Sequence, residues 1–206
     1  MAPTSRRGSR RAPSSARGRS SPGAASRCRA SRSSSSGAPT TRLGLVSDLH
    51  GRFDPLLPKV LAGVERIVLA GDTVDETLLV RLRDIAPLHA VRGNNDRSPG
   101  LLCLPEFLEL DLAGTRILVA HDRKDPRLSA AVARSHASVL VVGHSHQPLL
   151  VREGDLLVVN PGSAGPRRFR LPRTAGTMTL AAGQPPLVSL WDLDRDAPHP
   201  LVVTAS

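Results

Sequence analysis

Apolar and polar positions follow two regimes that meet near residue 42. The first 42 residues contain no Leu, Ile, Val or Phe. Beyond them, short apolar runs alternate with stretches of helical spacing. Residues 42–47 (RLGLVS) read as a buried strand leading to Asp48. Residues 54–64 have helical character, with Pro55 and Pro58 confining the regular part to the later residues. Residues 66–70 (RIVLA) predict a second strand, ending at Gly71-Asp72. Leu78, Leu79, Leu82 and Ile85 lie at helical spacing within 75–85. Residues 88–91 form a third short strand that ends at Gly93-Asn94.

Such alternation favours parallel βαβ units. The style then changes. Residues 107–112 and 115–120 flank Ala113-Gly114 and read as a hairpin. A helix over about 126–135 leads into a strand at 138–142, followed by His144. Strands dominate thereafter, at 149–152, 155–159, 176–181 and 187–193. No internal repeat is present after residue 41.

The residues with chemical potential share one position, the end of an apolar strand. Asp48 and His50 follow the first strand, Asp72 the second and Asn94 the third. His121 follows the hairpin, and His144 and His146 follow residues 138–142. In open α/β sheets, ligands bind at such C-terminal strand ends. The set offers three oxygen donors and four imidazoles, a mixture suited to Mn, Fe, Co, Ni or Zn. Seven donors are too many for one tetrahedral ion and about right for two ions. Singly, an Asp at a strand end is ordinarily a helix cap, and a surface His is ordinarily solvated. Repetition at five successive strand ends is what points to a site.

Charge changes the picture only for the N-terminal segment. The formal net charge is +10. Nine arginines lie in residues 1–41 with no lysine or acid, and the rest of the chain carries 19 basic side chains against 18 acidic ones. A basic nucleic-acid-binding face on the folded part is therefore not expected. With three Phe, one Trp and no Tyr, base-stacking platforms are not expected either. Residues 1–41 have almost nothing to bury and are expected to be disordered. A solvated tail, a start assigned too far upstream, an organelle transit peptide and a polyanion-binding arm all remain open. Any nucleic-acid contact is expected to run through this segment alone. Cys28 and Cys103 fit two free thiols in a reducing compartment. No run reaches the roughly 18 apolar residues of a membrane span, and no secretory signal is evident, so a cytoplasmic location without membrane attachment is expected.

The motifs Asp48-Leu49-His50-Gly51, Gly71-Asp72-Thr73-Val74-Asp75, Gly93-Asn94-Asn95-Asp96, Ala120-His121 and Gly143-His144-Ser145-His146 resemble the ordered motif set of calcineurin-like metallophosphoesterases. Asn160-Pro161-Gly162-Ser163, followed by Pro166-Arg167, resembles the small YfcE-like phosphodiesterase branch. The resemblance runs from about residue 43 to 193. It implies an α+β fold of αββα type: two mixed sheets packed as a sandwich, flanked by helices, with a metal pair at one edge. The domain is expected over 42–195, with a short tail at 196–206.

Carried over motif by motif, Asp48, His50 and His146 would hold a first divalent ion. Asn94, His121 and His144 would hold a second, with Asp72 bridging. Manganese heads the expected metals, ahead of Fe, Co, Ni and Zn. The implied activity is hydrolysis of small phosphodiesters, or of phosphomonoesters, by a hydroxide held between the ions. Asp72 and Asn94 would position that hydroxide and the phosphate. Arg167 is a candidate phosphate contact, because its guanidinium fork matches phosphate oxygens; a plain surface arginine is the alternative.

Two departures from the family pattern stand out. Asn95 replaces the His that many relatives use to protonate the leaving group, and an amide is no acid near pH 7. Asp122 stands where the family usually has Gly. The rivals are a protein phosphatase of the same superfamily, and a protein-binding scaffold of the same fold like the related retromer subunit.

Overall fold

The computed structural model describes residues 40–168 and 170–201. The segment expected to be disordered thus lies, up to residue 39, outside the described residues, as does Cys28. Cys103 is a free, exposed thiol.

Fifteen elements follow in order among the described residues. They begin with β1 (Thr40–Val46), α1 (Leu57–Val60), β2 (Arg66–Leu69), α2 (Thr77–Arg83), β3 (Leu88–Ala90) and α3 (Pro99–Leu102). The hairpin β4 (Phe107–Leu112) and β5 (Thr115–Ala120) comes next, then α4 (Leu128–Ser135) and β6 (Val139–Val141). The chain continues with β7 (Leu149–Glu153), β8 (Leu156–Asn160), β9 (Thr174–Ala181), β10 (Leu187–Asp192) and β11 (His199–Leu201).

Two mixed sheets result. One has the order β11-β10-β9-β1-β2-β3 and the other β4-β5-β6-β8-β7. Strands β1, β2 and β3 run parallel, while β9 returns antiparallel to β1. In the second sheet β5, β6 and β8 run parallel, with β4 and β7 antiparallel at the edges.

Strand alternation explains the layering, because successive side chains face opposite sides. Leu43, Leu45, Val68 and Ala70 from the first sheet meet Ile117, Val119, Val139, Val141 and Val159 from the second. The opposite face of the first sheet, with Val46, Ile67 and Leu69, packs under Leu57, Leu61, Leu78, Leu79 and Leu82 of the α1 and α2 segments. Leu118, Leu140 and Val158 of the second sheet pack under Leu128 and Ala131 of α4. Both sheets are therefore apolar on two faces, and the α+β sandwich flanked by helices is the observed architecture. Each fully buried leucine in these layers contributes about 2 kcal/mol of burial.

Several elements differ from expectation. Strand β1 begins two residues early, at Thr40, paired with Ala181 of β9. Helix α1 takes in Pro58 near its N-terminus, where the missing N–H costs nothing. The short α3, whose Pro99-Gly100 start carries turn signals, is an element beyond those expected. Part of the expected C-terminal tail, His199–Leu201, extends the first sheet by pairing with β10. No helix among the described residues is long and apolar enough to cross a membrane.

Candidate metal centre

The parallel strands of both sheets deliver their C-terminal ends to one edge. Asp48 N donates to the Gly71 carbonyl, His50 N to the Asp72 carbonyl and Gly51 N to the Thr73 carbonyl, zipping the loops after β1 and β2. Gly143 N donates to the His121 carbonyl, joining the loops after β5 and β6. The sheets meet where His144 N donates to Asp48 Oδ2 at 3.0 Å and His121 Nδ1 donates to the Ala70 carbonyl at 2.7 Å.

This assembly brings all seven candidate donors together. Asp48, Asp72, His121 and His146 are buried and form the floor. Asn94 and His144 are exposed and form the open side. In one group, Nε2 of His146 lies 3.3 Å from Asp48 Oδ1 and 3.1 Å from Nε2 of His50. In the other, Asn94 Oδ1 lies 3.0 Å from both His121 Nε2 and His144 Nδ1. Asp72 Oδ2 stands between them, 3.7 Å from His50 Nε2 and 3.4 Å from His121 Nε2.

Backbone strain concentrates here. Asp48, His50, Asp72, His144 and His146 all have positive φ, between 45° and 65°. Such conformations cost of order 1–3 kcal/mol each and persist where the surroundings over-determine them. The surroundings are tight. A Cβ at Gly143 would sit 1.9 Å from Ser47 Oγ and 2.8 Å from Asp48 Oδ2, so only glycine admits this approach of the two loops.

Supporting residues fix the donors. Ser47 Oγ donates to Asp48 Oδ2 at 2.6 Å. Asn95 donates twice to Asp72, from its backbone N–H to Oδ1 and from Nδ2 to Oδ2. Asp96 accepts from Val74 N and Gly93 N, clasping the loops after β2 and β3. The Asn160-Pro161-Gly162-Ser163 turn acts from behind. Asn160 Nδ2 donates to the Gly143 carbonyl and to Ser145 Oγ, and Ser163 Oγ donates to the Asp48 carbonyl. Of these, Ser47 carried no motif signal, and Asn95 showed in sequence only as a missing acid.

Electrostatics agree with the geometry. Burial raises the Asp72 carboxyl pKa, but the His121 contact and the Asn95 donors outweigh it and hold the group well below the usual range. Burial lowers the pKa of His121, yet Asp72 and the Ala70 carbonyl reverse this and raise it. The Ala70 carbonyl can only accept, so Nδ1 of His121 keeps its proton, and Nε2 is the nitrogen that presents a lone pair to the site once the ring is neutral. That lone pair faces the oxygens of Asn94 and Asp72. Asp48 Oδ1 is buried with no hydrogen-bond partner among the described residues. Lone pairs converging in this way on buried carboxylates repel unless a cation lies among them, so the donor set fits divalent metal ions. Among the described residues, carboxylate and imidazole groups close enough to share an ion are Asp48 with His50 and His146, and Asp48 with Asp72 and His121.

Arg167 lies elsewhere. Its guanidinium reaches Asp194 at 3.9 Å. The neighbouring Arg168 instead faces the donor cluster, 3.5 Å from His50 Nδ1. Which of two adjacent arginines faces the metal edge depends on the turn after Ser163, and the residue types alone do not reveal it.

A two-sheet sandwich with an O/N donor cluster at the parallel strand ends defines a metallophosphoesterase-like class. Residues 42–183 match the family model of the calcineurin-like phosphoesterase superfamily domain, and the chain belongs to that family. It is 30% identical over 131 residues to a protein of Methanothermobacter thermautotrophicus named "Probable metallophosphoesterase", covering 59% of this chain and 76% of that one. Among solved structures, vacuolar protein sorting 29 of Cryptosporidium parvum superposes with a TM-score of 0.68 at 21% identity, covering 79% of this chain and 96% of that one. YfcE, a phosphoesterase of E. coli, superposes with a TM-score of 0.55 at 19% identity, covering 80% and 100%. These two similarities establish the shared fold.

Proposed function

We propose that the protein is a metal-dependent phosphodiesterase that converts a small phosphodiester and water into a phosphomonoester and an alcohol. The observation that carries this reading is the position of Asp72 Oδ2, within 3.7 Å of His50 Nε2 and 3.4 Å of His121 Nε2. One carboxylate oxygen lying between two donor groups is what a two-ion site requires.

Asp48, His50 and His146 would hold one ion, and Asn94, His121 and His144 the other, with Asp72 shared. Manganese suits these O/N donors, and Fe, Co, Ni and Zn share the preference. When bound, two such ions supply Lewis-acid charge for the phosphoryl oxygens and make water acidic enough to attack near neutral pH. The protein's own part is positioning. Asn94 and His144, on the exposed side, set where the phosphate approaches. Arg168, beside His50, takes the phosphate-contact role first considered for Arg167.

Departure of the alcohol selects the substrate. Asn95 is committed to Asp72 by both donors and cannot protonate a leaving oxygen. Esters with good leaving groups are favoured over unactivated alkyl monoesters.

The test is hydrolysis of bis(p-nitrophenyl) phosphate by metal-stripped protein, before and after adding Mn²⁺, with Asp72→Asn as control. Activity restored by metal and absent in the variant is the expected result. Folded protein inactive with every divalent ion would overturn the reading in favour of a protein-binding scaffold.

A further inference from the structure

Two clefts meet at the open side of the metal centre. One, of about 470 Å³, runs from Asn94 and His121 past Arg97 and Phe107. The other, of about 450 Å³, runs from His144 past Lys124, Gln147 and Leu149. Among the described residues, Asp122 is the one that lines both. Its Oδ1 accepts from Lys124 N at 2.8 Å, which holds the carboxylate in place. Its Oδ2 stands 4.0 Å from His144 Nε2. The side chain is half-buried and, among the described residues, no arginine or lysine pairs with it, whereas Glu106 and Asp125 in the first cleft are paired with Arg92 and Arg127.

Resting on the phosphodiesterase reading, we propose that Asp122 is the specificity residue of this site. It forms the shared wall between two arm-binding clefts and selects singly charged diesters against doubly charged monoesters. A phosphate centred over Asn94, His121 and His144 has Asp122 beside it whichever cleft it enters. A diester brings one negative charge and two arms, one for each cleft. A monoester brings close to two charges above pH 7, because its second pKa is about 6, and leaves one cleft empty. The extra charge meets an uncompensated carboxylate, and the repulsion falls on the monoester alone.

The test compares kcat/KM for p-nitrophenyl phosphate and bis(p-nitrophenyl) phosphate at pH 8, using the full chain loaded with Mn²⁺. Asp122→Asn keeps the acceptor for Lys124 N and removes the charge. It is expected to raise the monoester-to-diester ratio roughly tenfold, the scale of one unit charge across a half-solvated cleft. The gain should shrink in high salt. Asp122→Gly should raise the ratio similarly. Asp111→Asn, on exposed β4 backbone roughly 13 Å from Phe107, should leave it unmoved. An unmoved ratio in both Asp122 variants, or an equal change on the two substrates, overturns the proposal.

If the wild type hydrolyses neither substrate, the functional reading fails by itself, and binding decides the present proposal. Inorganic phosphate and diethyl phosphate are titrated calorimetrically into the Mn²⁺-loaded protein. Asp122→Asn should tighten phosphate roughly tenfold relative to diethyl phosphate. No change in that ratio, or no binding of either anion, overturns it.

Discussion

Asn95 grips Asp72 at both carboxylate oxygens, its backbone N–H 2.8 Å from Oδ1 and its Nδ2 2.6 Å from Oδ2. Asn95, which has no acidic proton to give a leaving group, thus acts as a clamp on the carboxylate that lies between the two donor groups. Asn95→Ala removes the Nδ2 donor, and Asp72 Oδ2 gains rotational freedom. Metal affinity measured by calorimetry should fall about 10- to 100-fold, the usual loss when a partner of a ligand is removed. An unchanged affinity would show that the backbone N–H suffices.

The Asn160 turn supports the site from the opposite side. Asn160 is buried, donates to the Gly143 carbonyl and Ser145 Oγ, and accepts from Gly162 N. Asn160→Ala orphans these groups, at a cost of about 1–3 kcal/mol for the buried ones. Urea denaturation of the metal-free protein should show that loss. The Gly143–His146 loop should also loosen, weakening metal binding in addition.

The clustering of the candidate donors was legible because type and place coincide. An Asp, Asn or His at the end of each apolar strand is a pattern that topology turns directly into proximity. Legibility ended where backbone conformation decides. Asp48, His50 and His146 adopt positive φ, and nothing in an Asp or His announces it. Ser47 reads as the last residue of a strand, and its hydroxyl becomes a partner of Asp48 only because the chain turns there. Arg167 and Arg168 are alike in sequence, and one turn sends them to Asp194 and His50 respectively. Short α3 and β11 went unseen because proline and glycine in PGLL and HPL mask elements of three or four residues.

Acid–base linkage at the Asp72–His121 pair separates metal-free from metal-loaded protein. The raised His121 pKa stabilises the metal-free fold fully below the unfolded value of 6.5, and this contribution is lost as pH rises through the folded value. The depressed Asp72 pKa contributes above the unfolded 3.8 and fades only in strong acid. The metal-free protein should therefore lose part of its stability as pH rises through the region above 6.5. Metal binding needs Nε2 of His121 unprotonated, so affinity should rise over the same interval, with a proton released below it. Calorimetry in buffers of different ionisation enthalpy counts that proton. A pH-independent affinity would contradict the protonation scheme.

Arg173 ties the strand after the Asn160 turn to the first loop of the domain. Its guanidinium pairs with Asp54 and donates also to Asp194 Oδ1 at 2.7 Å and to the Leu193 carbonyl at 2.9 Å. Burial lowers its pKa, but the two carboxylates more than compensate, so the charge is secure at any working pH. Asp54 is buried, and beyond Arg173 it has Leu56 N as a donor and only a 3.9 Å approach from Arg52. Arg173→Met preserves the apolar stem and leaves that carboxylate without its main counter-charge, a change expected to cost about 3–5 kcal/mol. Urea unfolding checks the magnitude. In the double variant Arg173→Met with Asp54→Asn the stranded charge is gone, so most of the loss at Asp54 should be recovered. A double variant no more stable than Arg173→Met would mean that the loss instead comes from the bonds to Asp194 and Leu193.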